Sequence, residues 1–421
     1  MDDGNQVLED SALLIRGSAI IDIGQSQKLQ TRYPDAQQVH EPHGLIMPGL
    51  INVHTHAAMS CFRGLADDLP LMQWLEQYIF PREAKLTGDM VYLSTLLSIC
   101  EMIRSGTTCF ADMYLFASDV ARAVAQSGMR AWLGEALYDF PSPCYGKLDN
   151  GFAYVDKLFN DYEDHALINI SLTPHAVYTC SPSLLERVRD MAAEHQAIIQ
   201  IHLAETEDET AACIQRYGVR PVAHLNNLNL LHEQLLAAHC VYLNNDEIEL
   251  LADHGVKVAH CQESNMKLAS GIAPAVKMLD AGLCLGIGTD GSASNNDVDM
   301  FGEMSTVAKA HKLACMNPTV MNATTTVRAA TIGGAGCLGM ADSIGSLEVG
   351  KQADLIVLDL NQPHLTPVYN PISHLVYAVR GSDVVHCMVA GRWLMRERKI
   401  LSLDEQAIMD EMREMVRQFI A

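Results

Sequence analysis

The sequence lacks closely spaced cysteines, long apolar runs and an excess of positive charge. Its 12 cysteines include no Cys-x-x-Cys pair, which excludes a zinc knuckle or a redox motif of that kind. No run of about 18 apolar residues occurs, so we expect no membrane-spanning helix. Lys and Arg number 29 against 51 Asp and Glu, a net charge of −22. So acidic a surface argues against nucleic acid or an anionic membrane as partner.

What is present is typical of a packed globular protein. The 421 residues are 49% hydrophobic and 19% charged, enough chain for a barrel-sized core and a smaller companion domain. The first residues, Met1–Asn5, are acidic and lack the basic and apolar regions of a signal peptide. We therefore expect a reduced, cytoplasmic protein.

The two ends of the chain have a similar texture of short, β-branched segments. These are Ala12–Arg16, Ala19–Ile23, Asp354–Leu358 and Val384–Val389. Neither end is long enough to bury a core alone. We therefore predict that residues 1–45 and 346–421 pair into one small β-sandwich domain, with a C-terminal helix on the second part.

Between the ends, residues 46–345 alternate between apolar strands and polar-faced helices. The predicted strands end at His54, Asp112, Glu135, Thr173, His202, His239, His260 and Asp290. Ser181-Pro182 is a typical helix start, as is Asn245-Asp246. Eight such alternations predict an α/β fold of the (β/α)8, TIM-like barrel type. The doubly wound alternative lacks its glycine fingerprint after the first strand.

In such a barrel the strand ends meet at one mouth, where His and Asp residues accumulate here. Residues i and i+2 of an extended segment face the same way, so His54 and His56 can reach one ion. His202 is followed three residues later by Glu205, at a helix start. Three imidazoles and the Asp290 carboxylate suit zinc, and other divalent first-row metals accept the same ligands.

Several longer motifs make a resemblance specific. They are Met47-Pro-Gly-Leu-Ile-Asn-Val-His-Thr-His56, Ile201-His-Leu-Ala-Glu205, His260-Cys-Gln-Glu-Ser-Asn265, Gly288-Thr-Asp-Gly291, Arg63-Gly-Leu-Ala-Asp-Asp-Leu69 and Pro81-Arg-Glu83. Together they resemble the amidohydrolase superfamily and, within it, the branch of 5-methylthioadenosine/S-adenosylhomocysteine deaminases. The resemblance covers nearly the whole chain and includes the split β-sandwich.

The resemblance implies a role for each site residue. The metal ligands would be His54, His56, His202 and Asp290. The catalytic residues would be Glu205 as proton shuttle, His239 beside the attacking water and Asp290 as acceptor of its proton. Glu83 would hold the ribose hydroxyls, His175 the purine or ribose, and Glu205 the purine N1, while Trp74 either lines the purine pocket or packs in the core. The fourth strand has no lysine to bridge two metals, so we expect one Zn²⁺ per subunit.

The implied activity is hydrolytic deamination of the adenine ring of 5′-substituted adenosines, by a cytoplasmic homo-oligomer without nucleic-acid or membrane partners. The alternatives are a guanine or triazine hydrolase, which would have no ribose diol for Glu83, and a non-enzymatic assembly protein. Arginines that would hold the S-adenosylhomocysteine carboxylate are replaced here by Glu135 and Lys147. We therefore expect 5′-methylthioadenosine, 5′-deoxyadenosine or adenosine to be favoured over S-adenosylhomocysteine.

Overall fold

The computed structural model describes residues 4–420. Its strands, in chain order, are β1 (Ser11–Arg16), β2 (Ala19–Gln25), β3 (Gly44–Pro48), β4 (Leu50–Thr55), β5 (Thr107–Tyr114), β6 (Arg130–Leu137), β7 (Ile168–Ile170), β8 (Thr173–Pro174), β9 (Ile199–Leu203), β10 (Leu235–His239), β11 (Lys257–His260), β12 (Cys284–Ile287), β13 (Leu355–Asp359), β14 (Val384–Val389), β15 (Arg392–Arg396) and β16 (Lys399–Ile400). Residues 1–3 and 421, the outermost ends of the two predicted sandwich segments, lie outside the described residues.

The α-helices are α1 (Ser26–Arg32), α2 (Leu71–Trp74), α3 (Phe80–Glu83), α4 (Gly88–Ser105), α5 (Ala117–Ser127), α6 (Leu148–Tyr162), α7 (Pro182–His195), α8 (Glu207–Tyr217), α9 (Pro221–Asn227), α10 (Asn245–Asp253), α11 (Gln262–Lys267), α12 (Ala275–Asp280), α13 (Met300–Ala314), α14 (Ala323–Arg328), α15 (Gly334–Cys337), α16 (Pro371–Tyr377) and α17 (Glu405–Ile420). Single π-helical turns occupy Leu75–Ile79 and Ala329–Gly333, and 3₁₀ turns occupy Ala57–Phe62, Pro363–Leu365 and Gly381–Asp383.

The central part of the chain forms the predicted (β/α)8 barrel from two parallel half-sheets. Strands β4 to β7 are neighbours in sequence order, as are β9 to β12, and β8 continues the fourth position beside β6. A parallel bridge between Leu172 and Ile199 joins the halves on one side. On the other side the Asp290 N–H donates to the His54 carbonyl at 3.0 Å. The last strand thereby delivers its acidic residue beside the first strand's histidines.

Local sequence explains why these elements form where they do. Strands β5 and β6 are buried along their whole length, as expected for parallel strands covered on both faces. Ser181 caps α7 by accepting from the Leu184 N–H at 3.4 Å. Asn244 and Glu247 form a reciprocal capping box on α10. The predicted strand ends lie within three residues of the observed ones.

The chain ends meet in a five-stranded antiparallel sheet of order β16-β15-β14-β13-β3, so an N-terminal strand completes a C-terminal sheet. The β1–β2 hairpin forms its own small sheet and attaches where the Ile20 N–H donates to the Lys351 carbonyl at 2.9 Å. A separate apolar cluster that includes Ile20, Leu355 and Met388 fills the space between the two sheets. The exact domain boundaries, at 45/46 and 345/346, stay a prediction.

A buried ion pair connects the barrel to the terminal segments. Arg130, at the start of β6, donates through Nε to Asp354 Oδ2 at 2.8 Å and through Nη2 to Oδ1 at 3.2 Å. The side chains are 1% and 2% exposed. Asp354 Oδ1 also accepts from the Ala390 N–H at 2.6 Å, so the carboxylate links three segments of the chain.

Replacing Arg130 by alanine is expected to lower the free energy of unfolding by about 3–5 kcal/mol, because it leaves the Asp354 carboxylate buried without its cation. The matched control is Arg413→Ala, which removes an exposed ion pair with Asp410 and is expected to cost about 0–1 kcal/mol. Urea denaturation followed by near-UV circular dichroism measures both. Equal losses in the two variants would contradict a special role for the buried pair.

Within residues 4–420, no single helix has the length and apolar composition needed to cross a bilayer. One bent pair, Leu71–Glu83 with Gly88–Ser105, meets those two criteria when taken together, although its halves turn by 118°.

Candidate metal centre and active site

The structure brings the four predicted metal ligands together at the carboxyl ends of the barrel strands. His54 Nε2 lies 3.6 Å and His56 Nε2 lies 3.2 Å from Asp290 Oδ1. His202 Nε2 lies 3.3 Å from His56 Nε2. Four polar groups from three strands therefore converge on one small volume.

The outer hydrogen bonds of these histidines fix which ring nitrogen is free. His56 Nδ1 donates to the Met113 carbonyl at 2.5 Å, and His202 Nδ1 donates to the His175 carbonyl at 2.7 Å. Both Nε2 atoms are consequently directed toward each other, as two ligands of one ion would be. The buried His54 Nε2 has no hydrogen-bond partner within the described chain. This donor set fits a divalent ion with N and O ligands.

Asp290 is held in a fixed orientation three residues beyond the end of β12. Its Oδ2 accepts from Ser264 Oγ at 2.6 Å and from Ser294 Oγ at 3.0 Å. Burial favours its protonated form, but the adjoining His54 and His56 hold the pKa of Asp290 well below its usual range. The residue has φ 62°, a left-handed conformation that is uncommon outside glycine. An ionised, oriented carboxylate can ligate a metal.

His239 stands at the end of β10, next to the four predicted metal ligands His54, His56, His202 and Asp290, which we call the ligand group. Its Nδ1 donates to Asn265 Oδ1 at 2.9 Å, which leaves Nε2 facing the site, 3.9 Å from Glu205 Oε2. The ligand nitrogens of His54, His202 and His239 all lie within 4.8 Å of one another, as do the ligand atoms of His54, His56 and Asp290. The two overlapping groups share His54, so they describe one site rather than two.

Glu205 follows β9 and points into the same space without reaching the ligand group. Its carboxylate has one weak hydrogen bond, from Ser270 Oγ to Oε1 at 3.4 Å. Burial raises the pKa of Glu205, with the nearby His239 opposing the rise. A buried carboxyl with a raised pKa is suited to carry and deliver a proton.

A cavity of about 750 Å³, part of it open to solvent, lies over these residues. Besides the polar groups above, it is lined by apolar and aromatic side chains, among them Met59, Leu71, Leu75, Ile79, Phe80, Met113, Tyr114, Leu115, Tyr138, Phe140, Tyr178 and Leu268. The segment Leu71–Glu83, with its π-helical turn, forms one wall. An apolar and aromatic lining with a few convergent polar groups is typical of a small-molecule site.

The four predicted substrate-contacting residues, Glu83, His175, Glu205 and Trp74, all line this cavity. Trp74 is also buried in the main core, so it both packs and lines the site. Burial raises the pKa of Glu83, while the Tyr114 hydroxyl beside it opposes the rise. His175 Nδ1 bonds to Thr179 Oγ1 at 3.0 Å, and this hydroxyl itself donates to the Ala176 carbonyl at 3.2 Å. His175 Nδ1 is therefore the donor, and its Nε2 is an acceptor.

Two predicted features of the site are wrong. Glu135, 0% exposed, does not line the cavity, because it points outward from β6, where its Oε2 accepts from the Ala117 N–H at 2.8 Å. Burial also raises its pKa to about 8, so it carries little charge at neutral pH. Lys147 is exposed before α6 and does not line the cavity either. The expected repulsion between Glu135 and a substrate carboxylate therefore has no basis.

His260 ends β11 as predicted but also turns away from the cavity. Its Nε2 pairs with His311 Nε2 of α13 at 2.8 Å. The residues that sequence reasoning missed include Asn265, Ser264 and Ser294, which orient His239 and Asp290. Ser264 and Asn265 belong to the motif His260–Asn265, which directly follows a predicted strand end. That position is the signal that the sequence offers for them.

The comparisons with known proteins agree with this geometry. The amidohydrolase family model matches residues 45–394, and the chain belongs to that family. It is accordingly a metal-dependent hydrolase, and its convergent His and Asp residues form groups with the spacing needed to hold a metal ion.

Individual proteins of known sequence or structure are similar to this chain over nearly its whole length. A curated protein of Syntrophobacter fumaroxidans, named 5-methylthioadenosine/S-adenosylhomocysteine deaminase, is 51% identical over 417 residues, which cover 99% of this chain and 95% of that protein. A crystal structure of an adenosine deaminase from Xanthomonas campestris with bound zinc superposes with a TM-score of 0.97 at 41% identity, covering 99% and 95% of the two chains. The zinc complex of atrazine chlorohydrolase from Arthrobacter aurescens gives 0.92 at 25% identity, covering 99% and 97%.

Proposed function

We propose that this protein deaminates the adenine ring of 5′-substituted adenosines by metal-dependent hydrolysis, releasing the inosine-type product and ammonia. The proposal depends on one observation: groups suited to metal binding and proton transfer share a cavity with groups suited to binding a nucleoside. The ligand group and Glu205 lie at one end, and Glu83 and His175 line the same space. The names of the relatives from Syntrophobacter fumaroxidans and Xanthomonas campestris support the same reaction.

We assign one Zn²⁺ per chain to His54, His56, His202 and Asp290. When bound, the ion makes a water molecule acidic enough to act as a nucleophile near neutral pH. The sequence offers no lysine at the fourth strand, Ile168–Pro174, to bridge a second ion. Another divalent first-row metal would use the same ligands.

The chain's own residues move the protons. Asp290 accepts a proton from the attacking water as the water oxygen bonds to C6 of the purine. Glu205, whose pKa is raised by burial, donates a proton to ring N1. His239, oriented by Asn265, presents Nε2 toward the attacking water. Collapse of the tetrahedral carbon breaks the C6–N bond, and the amino group takes the proton from Asp290 and leaves as ammonia. The C6 hydroxyl gives its proton to Glu205, which leaves the 6-oxo purine and restores the Glu205 carboxyl.

The remaining polar groups of the cavity are assigned to the nucleoside. Glu83 would accept hydrogen bonds from both ribose hydroxyls, and the His175 Nε2 acceptor would take one from the purine or the ribose. Trp74 and the aromatic wall provide apolar surface for the base. A free base or a triazine has no ribose diol, so these substrates would leave Glu83 without partners.

We expect kcat/KM for 5′-methylthioadenosine, 5′-deoxyadenosine or adenosine to exceed that for S-adenosylhomocysteine by at least about tenfold, equivalent to about 1.4 kcal/mol. The reason differs from the one first expected. Among residues 4–420, none that lines the cavity is Lys or Arg, whereas Glu83, Glu205 and Asp290 are acidic. The carboxylate of S-adenosylhomocysteine would therefore lack a cationic partner there. Steady-state kinetics on the four substrates measures the order, and S-adenosylhomocysteine in first place would contradict it.

The proposed reaction is tested by a screen that follows the absorbance of each substrate together with release of ammonia, or of chloride from atrazine. The substrates are 5′-substituted adenosines, free adenine, guanine and atrazine, and elemental analysis measures the metal in the same preparation. Turnover of guanine or atrazine alone would replace the proposal with the corresponding hydrolase. A preparation without metal and without turnover would favour an assembly role.

A homo-oligomer is also part of the proposal, and sedimentation equilibrium measures it directly. The division of the chain into residues 1–45, 46–345 and 346–421 is also proposed, with Ile46–Pro48 of β3 pairing with β13 in the terminal sheet. A nucleoside is the proposed partner, and neither nucleic acid nor a membrane is.

A further inference from the structure

The turn that carries Glu205 has an unfavourable backbone conformation. It leaves β9 one residue after His202, and Ala204 has φ 51°, in the left-handed region. A side chain with a Cβ disfavours this region, so contacts elsewhere must hold the turn in place. The Tyr242 N–H donates to the Ala204 carbonyl at 2.8 Å. The backbone N–H groups of Ala204 and Glu205 need other partners.

The carboxylate of Glu209 accepts hydrogen bonds from both of these N–H groups. Its Oε1 accepts from the Ala204 N–H at 3.1 Å, and its Oε2 accepts from the Glu205 N–H at 2.7 Å. Glu209 belongs to the first turn of α8 and is 5% exposed. It does not line the cavity and does not belong to the ligand group. Its contact with the site is therefore made through the backbone of Glu205.

The Glu205 side chain has little else to fix it. The Ser270 hydroxyl lies 3.4 Å from Oε1, and His239 Nε2 lies 3.9 Å from Oε2. Both are long for hydrogen bonds. The direction of the Glu205 carboxyl thus depends on the backbone position that Glu209 sets.

We propose that Glu209 is a positioning residue, which holds the Ala204–Glu205 turn so that the Glu205 carboxyl reaches the substrate ring. The inference rests on the proposed deaminase function, in which Glu205 carries the proton. A displacement of about 1 Å in a proton-transfer group lowers the rate by about 10²-fold. The turn connects the candidate ligand His202 to the proton-carrying residue, so its geometry matters at both of its ends.

The chain contains a matched control at the next strand–helix unit. Glu247 occupies the third position of α10, is 6% exposed, and accepts from the Asn244 N–H at 3.0 Å. Like Glu209 it holds backbone at the start of a buried helix, but on a segment that does not line the cavity, and it also pairs with Arg220 Nη2 at 2.9 Å. A glutamine has one acceptor oxygen where glutamate has two, so E209Q and E247Q each remove one acceptor from a buried helix start.

Full-length E209Q and E247Q are compared with the wild type by kinetics, metal content and amide hydrogen exchange. We expect E209Q to lower kcat for 5′-methylthioadenosine by about 10–100-fold, with KM within about threefold and metal retained. Its amides at Ala204 and Glu205 should exchange faster. E247Q should keep kcat within about twofold and leave those two amides unchanged, even if its thermal stability falls equally. E209D, with a shorter side chain, should resemble E209Q and serves if E209Q does not fold.

Two results would overturn the inference while leaving the proposed function intact. One is wild-type kcat in E209Q with unchanged exchange at Ala204 and Glu205. The other is an equal loss of kcat in E209Q and E247Q, which would indicate a general stability effect. Absence of deamination of 5′-methylthioadenosine and the other 5′-substituted adenosines by the wild type would instead remove the proposed function, and the inference with it.

Discussion

Replacing Glu205 with glutamine is expected to lower kcat by about 10²–10⁴-fold while the metal stays bound. Glutamine keeps the size of the side chain but cannot deliver a proton to the purine ring. The carboxyl stands outside the ligand group, so metal content should equal that of the wild type. Steady-state kinetics on 5′-methylthioadenosine and elemental analysis measure the two quantities.

The control for this variant is Glu207→Gln, two residues further along the chain. Glu207 is exposed in the first turn of α8 and does not line the cavity. Its replacement should leave kcat within about twofold, as expected for a surface change. Near-wild-type kcat in the Glu205 variant, with full metal content, would remove Glu205 from the mechanism.

His202→Ala is expected to abolish activity by a different route, through loss of the metal. The change removes one of the converging Nε2 atoms. Even changes to the outer partners of ligands typically lower metal affinity by about 10–100-fold, so loss of a ligand should cost more than about 100-fold. Metal per chain and kcat should fall together, and excess Zn²⁺ in the assay should restore part of both.

His254→Ala is the matched control, because His254 is an exposed histidine whose Nδ1 bonds only to the Leu250 carbonyl in its own helical turn. It should retain metal and kcat. Full metal occupancy in the His202 variant would contradict the assignment of His202 as a ligand, whatever its activity.

The sequence predicts the barrel and the convergence of its histidines because both follow from simple periodicity. His54 and His56 are separated by one residue of an extended strand, so they must share a side. His202, His239 and Asp290 end parallel strands or directly follow them, so they must share an edge of the barrel. The identities of neighbouring strands were not needed, since every strand of a parallel barrel ends at the same face.

The direction in which a side chain points at a strand end is harder to predict, and the wrong predictions concern this direction. Glu135 was expected near the substrate, but alternation along β6 turns it toward α5, while Ala136 lines the cavity. His260 likewise pairs with His311 of α13. A shift of one residue in the strand register reverses the facing, and texture alone does not fix register.

Groups that orient other groups escaped prediction for a second reason. Asn265 and Glu209 act on residues from other strands or through backbone N–H groups, and such contacts depend on the paths of loops. The left-handed conformation of Ala204 carries no sequence signal, because nothing but the surrounding hydrogen bonds selects it.

The pairing of β3 with β13 has a consequence for how the protein is made. The ribosome releases Gly44–Pro48 early, but the partner strand Leu355–Asp359 follows roughly 300 residues later, on the order of 15–60 s at typical synthesis rates of about 5–20 residues per second. During that interval the strand has an unpaired edge, which is prone to associate with other nascent chains. The buried Arg130 waits 224 residues for Asp354, on the order of 11–45 s at the same rates. Expression at high rates should therefore favour aggregation, and slower translation or co-produced chaperones should increase the yield of native enzyme.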